Sequence, residues 1–115
     1  MIVQEDGGDP RTASLAAQRL VSAHVVAVIG TYGSSVTAAA QGILDEAGVV
    51  QVANGSAAIP LTTKGLKLFF RTCPRDDQQG RVAVAVLRPL GAAGRGAFRI
   101  MARSGAEYTL DFLRS

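Results

Sequence analysis

The chain has 115 residues, room for one domain and too little for two. Hydrophobic residues make up 48% and aromatics only 5%, with no Trp, so any core must be assembled from Ala, Val, Leu and Ile. The formal net charge of +3 is scattered without interleaved aromatics, which argues against nucleic-acid binding, and a single Cys (Cys73) and a single His (His24) exclude an internal disulfide and a one-chain Cys/His zinc site.

Residues 2–5 read as the end of a strand, and residues 6–10 (DGGDP) as a turn. Asp9 is placed to cap a helix whose first position suits Pro10, where no N–H is needed. That helix runs to about Ser22, with Ala13, Ala16, Ala17, Leu20 and Val21 on one face. Residues 25–30 (VVAVIG) form a continuous apolar run, the pattern of a strand buried on both faces. After the loop Thr31-Tyr32-Gly33, Ser34 or Ser35 is expected to cap a second helix that turns Val36, Ala39, Ala40, Ile43, Leu44 and Ala47 inward and ends at Gly48.

Residues 49–53 (VVQVA) predict the next strand, 54–60 a long loop, and 66–72 a short extended segment. Asp76 and Gln79 give a capping-box start to a third helix with Val82, Val86, Leu87 and Leu90 inward. A glycine-rich loop over 91–96 precedes a strand over 97–102, and 108–115 begin a final helix. The alternation predicts an α/β fold, a parallel sheet with helices on both faces. Both ends read as cut, so residues 1–115 are expected to be part of a larger lobe. The N-terminus lacks the basic start and apolar run of a signal peptide, and no stretch approaches the ~20 apolar residues of a membrane span, so the chain taken as written is expected in the cytoplasm.

In open parallel sheets ligands bind beyond the carboxyl ends of the strands, where residues 30–35, 54–60 and 102–108 fall. Residues 30–35 (GTYGSS) lead into a helix N-terminus, whose free N–H groups, with the Ser34 and Ser35 hydroxyls, suit a carboxylate or a phosphate. Gly55 and Ser56 follow a buried strand, and glycine there permits close backbone approach. Tyr32 and Tyr108 can line a cleft. None of these loops holds an acid–base pair, and GxxxxGK[ST], GxGxxG and G-x-S-x-G are absent, so no catalytic residue, cofactor or metal is expected.

Taken together, Asp6-x-x-Asp9-Pro10, an Ala-rich helix, VVAVIGTYGSSVTAAAQGILDEAGVVQV, Leu61-Thr62, Phe70-Arg71-Thr72 and Asp76-Asp77-Gln78-Gln79-Gly80 resemble the leucine/isoleucine/valine-binding family of type I periplasmic binding proteins. The resemblance spans residues 2–90 and loosens beyond. It implies a partial first lobe of a two-lobed fold, the periplasmic or cell-envelope solute-binding subunit of an amino-acid importer, with a small-molecule ligand and a membrane permease as partners. It places the ligand carboxylate at Ser34 and Ser35 and the amino-acid head group at Gly55, Ser56 and Ala57, with Ala57 standing where the family often has a hydroxyl residue. Tyr108 matches the family's cleft tyrosine before a helix. Other readings of the same residues are a ligand-sensing domain of a regulator or receptor, a small α/β hydrolase using Ser34 or Cys73, and a non-functional gene remnant.

Overall fold

The computed structural model describes residues 1–87, 97–101 and 107–111, in two compact units, Met1–Pro74 and Arg75–Ser115. In the first unit, helix α1 spans Pro10–Ser22. Extended Asp9 caps it: Oδ2 accepts from Thr12 N at 2.8 Å and from Thr12 Oγ1 at 3.0 Å. The Thr12 N–H stabilises the ionised form and holds the Asp9 carboxyl below its ordinary value. At the other end exposed His24 takes a left-handed conformation (φ 53°) and donates its backbone N–H to Val21 O at 2.9 Å.

Helix α2 spans Ser34–Glu46, and the expected serine cap is corrected. Gly33 is the N-cap, with no side-chain cap, and its carbonyl accepts from Thr37 N at 2.9 Å. Ser34 and Ser35 are therefore the first two helical residues, which leaves their hydroxyls free for other partners. Gly48 (φ 73°) follows the helix in the left-handed region that a residue with a Cβ avoids.

Strands β1 (Ala27–Ile29), β2 (Val50–Ala53) and β3 (Phe69–Arg71) form a parallel sheet in that order, with Val28 opposite Gln51 and Gln51 opposite Phe69. These three residues share the face packed by helices. Ala17, Ala40, Leu44 and Val49 form one buried cluster there, edged by Val21, Val25, Val28 and Ile43. Ala13 and Ala16 are also buried, and such small side chains let α1 and α2 lie close together. Ala53, Leu61 and Phe69 form a second cluster. Between β2 and β3 a 3-10 turn, Ile59–Thr62, carries Leu61 into it.

The alternate face is different. Ile29, Val52 and Phe70 lie in one cross-strand row, and Ile29 is 84% and Phe70 54% exposed. The double burial expected of residues 25–30 is thus not found, because α1 and α2 pack on the same side and β1 is an edge strand. Residues 2–5 form no strand either. Ile2, Val3 and Gln4 line, with Val26 and Ile29, a cavity of about 620 Å³ along β1, and among the described residues β1 pairs with β2 alone. Gln51 lines this cavity, buried, with both amide atoms unpartnered.

In the second unit, helix α3 spans Asp76–Leu87. Its capping interaction sits one residue earlier than expected: Arg75 N donates to Gln78 Oε1 at 3.1 Å, while the N–H groups of Gln78 and Gln79 both reach Arg75 O. Arg75 Nη2 meets Asp77 Oδ2 at 2.7 Å and lowers the Asp77 carboxyl to about 2. Val82 and Val86, expected inward, are exposed, and the more buried positions are Gly80, Ala83 and Val84. The inward assignments of Leu87 and Leu90 fall on side chains outside the described residues.

Strands β4 (Ala97–Met101) and β5 (Glu107–Asp111) pair antiparallel. The strand expected over 97–102 is present, but as half of this separate ribbon. The helix expected from Tyr108 is replaced by β5, in which Tyr108 lies opposite Ile100. Its run Tyr108-Thr109-Leu110 begins with an aromatic and a β-branched residue, both strand-favouring. The glycine-rich loop at 91–96 and the segment 112–115 lie outside the described residues.

Candidate functional site

Parallel strands leave the loops that follow them at one end of the sheet. In the first unit these are residues 30–33 after β1 and 54–58 after β2. The two are fastened to each other by side chains of α2 and by one another's backbone. Ser56 is fully buried, and its Oγ reaches Thr37 Oγ1 at 2.5 Å, Tyr32 O at 3.1 Å and Thr31 O at 3.3 Å. Thr37 Oγ1 continues the chain to Thr31 Oγ1. Ala58 N donates to Ser34 Oγ at 3.2 Å.

Each group in this network has a clear chemical role. Ser56 bridges the second loop to the backbone of the first, with Thr37 beneath them. The Ser34 oxygen accepts the Ala58 N–H, which orients its remaining proton away from that contact and leaves it able to donate. Next to it lie the first amides of α2, which carry the positive end of a helix dipole. The rim of the two loops therefore offers donors suited to a small anion, set on a rigid base.

The loop after β2 is also held from behind. Arg71, at the end of β3, shares the Ala53 face of the sheet. Its Nη1 donates to Ser56 O at 3.1 Å and to Ala58 O at 2.8 Å, and its Nη2 donates to Thr62 Oγ1. Further along, Gln41 is buried, donates to Leu61 O at 3.1 Å and accepts from Lys64 Nζ at 3.0 Å. Asp45 Oδ1 accepts from Lys67 N at 3.0 Å and Leu68 N at 2.8 Å, fixing the entry to β3.

The structure brings Tyr32, Ser34, Ser35, Gly55, Ser56 and Ala57 to one end of the sheet. Their exposures separate them: Ser35 is exposed, Ser34, Gly55 and Ala57 are half-buried, and Ser56 is sealed inside. Tyr32 is 80% exposed, yet its ring lies on Gly55, where a Cβ would stand 2.5 Å from Tyr32 Cδ2. The close backbone approach that Gly55 permits is thus taken by a tyrosine ring of the same chain. Tyr108 lies in the second unit, on β5.

Thr37, Gln41, Asp45 and Arg71 were not singled out by the residue patterns as parts of this loop scaffold. A signal existed for two of them: Thr37 and Gln41 stand four and three residues apart in line with Leu44, on the stripe expected to be apolar. Polar residues at inward helix positions ask for buried partners. Cys73 is half-buried and free, and among the described residues no group of His, Cys, Asp and Glu could hold a metal ion.

A helix-covered parallel sheet with donor-rich loops at its strand ends is the frame of a small-molecule binding domain. Residues 1–101 match the family model described as periplasmic binding protein, and the chain belongs to that family. An amino acid binding protein of Pseudomonas aeruginosa is 40% identical over 84 residues, covering 72% of this chain and 22% of that protein. A Leu/Ile/Val-binding protein of Rhizobium johnstonii is 35% identical over 104 residues, covering 80% of this chain and 28% of its own length. An ABC transporter substrate-binding protein from Desulfitobacterium hafniense, solved in complex with Leu, superposes with a TM-score of 0.74 at 28% identity, covering 78% of this chain and 27% of that one. The chain thus spans about a quarter of the length of the relatives it matches. None of the helices among the described residues is long and apolar enough to cross a membrane.

Proposed function

We propose that this chain carries the first-lobe half of a solute site for an amino acid, with branched-chain amino acids the leading class. One observation carries the reading: the loops after β1 and β2 meet, with Ala58 N bonded to Ser34 Oγ beside the N-terminus of α2. The α-carboxylate of the ligand sits against the Ser34 hydroxyl and the first α2 amides, with Ser35 at its edge. Backbone groups at Gly55 and Ala57 face the head group, and the Tyr32 ring forms a wall. Ser56 serves from within, as the tie between loops.

The role is capture of a solute, in keeping with relatives that are named as binding proteins. Relatives named for Leu, Ile and Val, and a structural neighbour holding Leu, support the ligand class. In the whole protein, residues 1–115 form part of one lobe, and a second lobe closes over the solute by a hinge motion. The closed form then docks on a membrane permease in the periplasm. Because a half-site lacks the closing contacts, binding by this chain alone is expected to be weak.

A thermal melt of the chain with leucine, isoleucine, valine and a wider solute panel tests this. Ligand at a hundred times its dissociation constant stabilises a fold by about 2.7 kcal/mol. The expected result is a melting point raised by aliphatic amino acids and unmoved by their amides, which lack the carboxylate. A melt that no solute moves, or that amides move equally, contradicts the assignment of Ser34 and the α2 amides.

A further inference from the structure

We infer that Arg71 is a positioning residue of this half-site: by holding the Ser56 and Ala58 carbonyls its guanidinium fixes the backbone on both sides of the Ala58 N–H, which in turn orients the Ser34 hydroxyl as a donor. The inference rests on the proposed solute site and adds the part that sets its geometry. Arg71 acts through the backbone of the loop after β2. It binds the carbonyls of Ser56 and Ala58 with Nη1 and Thr62 Oγ1 with Nη2, so the residues on either side of Ala57 are fixed together. Ala58 is then held from two directions, its C=O by Arg71 at 2.8 Å and its N–H by Ser34 Oγ at 3.2 Å.

Chemistry explains why this position takes arginine. A guanidinium is a flat fork that can serve three acceptors in one plane, whereas an ammonium is a point charge on a flexible stem. Among the described residues the only ion pair is Arg75 with Asp77, so Arg71 is not held by a carboxylate there. Its bonds to neutral oxygens are charge-assisted and stronger than ordinary ones. Ser34 depends on the result. With the Ala58 N–H in place its oxygen already accepts, and its proton turns outward to donate. Without it the hydroxyl rotates freely and its proton has no set direction.

The test compares Arg71→Lys, Arg71→Gln, Ser34→Ala and the double variant Arg71→Lys/Ser34→Ala in the full chain. Two readouts are taken: amide hydrogen exchange at Ala58 without ligand, and leucine affinity by NMR titration. Arg71→Lys is expected to speed exchange at Ala58 by about tenfold while Ala40 and Leu44 stay protected, and to weaken leucine by about tenfold. With Ser34 already alanine, Arg71→Lys is expected to cost clearly less than the tenfold it costs alone, an outcome that general loosening of the fold does not produce.

Leucine affinity kept by Arg71→Lys and lost by Arg71→Gln would mean that charge alone matters, which overturns the inference. Multiplying losses in the double variant, or unchanged Ala58 exchange in Arg71→Lys, overturn it as well. If the unmodified chain binds no amino acid, the proposed function fails, and exchange at Ala58 still decides whether Arg71 sets that peptide. Should Arg71→Lys not fold, Thr62→Val removes only one acceptor of the fork and is expected to raise Ala58 exchange about threefold; no change there counts against the inference.

Discussion

Two neighbouring regions of the first unit are built from different forces. Around α1, α2 and Val49 the cluster is apolar, made of Ala17, Ala40 and Leu44 with valines at its edge. One helix turn away, toward the strand ends, the same helix α2 buries Thr37, and beside it lie Ser56 and the Arg71 fork. The first region is held by buried apolar area and close packing, which are non-directional. The second is held by directional bonds between buried polar groups, each of which is costly to leave unmade. The apolar region keeps the unit folded, and the polar region keeps the two strand-end loops in register.

Substitutions that strike one region and spare the other test this division. The largest effect is expected from Leu44→Ala, which empties a fully buried site at the centre of the apolar cluster. A loss of about 2–5 kcal/mol is expected in denaturant unfolding, a large part of the ~5–15 kcal/mol that a typical domain holds. A loss below ~1 kcal/mol would mean that the α1–α2 packing is not the mainstay of the unit. A smaller effect is expected from Thr37→Val, which keeps the shape and removes the hydroxyl between Thr31 and Ser56. About 1–2 kcal/mol of stability should be lost, with exchange rising first at Tyr32 and Ser56 and least at Leu44. Uniform loosening across both regions would erase the distinction.

Much of the apolar region was legible in the sequence. Asp9-Pro10 marks the start of α1, alanines at three- and four-residue spacing mark its buried face, and Gly48 marks the end of α2. These signals are local, and periodicity reads them directly. The candidate loops could be located from strand ends and small residues, but their inner wiring could not. Ser56 reads as a ligand contact because it is a hydroxyl in a strand-end loop, yet its partners Thr37, Thr31 and Tyr32 lie 19 to 25 residues away. Arg71 reads as part of a motif, while its acceptors are fixed by the path of the loop across β2 and β3.

The misreadings have the same origin. Residues 25–30 have the composition of a doubly buried strand, but burial depends on what packs on each face, and Ile29 lies on the face away from α1 and α2. Tyr108 was expected to open a helix, and the backbone instead pairs it with Ile100 in a ribbon. Pairing partners decide short apolar segments of that kind, and eight residues carry too little periodicity to separate helix from strand.

The central claim is that solute binds where the two strand-end loops meet. A residue-resolved NMR titration of the chain with leucine tests it most directly. The account predicts saturable shifts at Ser34, Ser35, Gly55 and Ala57, with Ala16, Ala17 and Leu44 unmoved. Shifts centred instead on Ile2, Val26 and Gln51, along the cavity beside β1, would contradict it, as would a titration in which nothing moves.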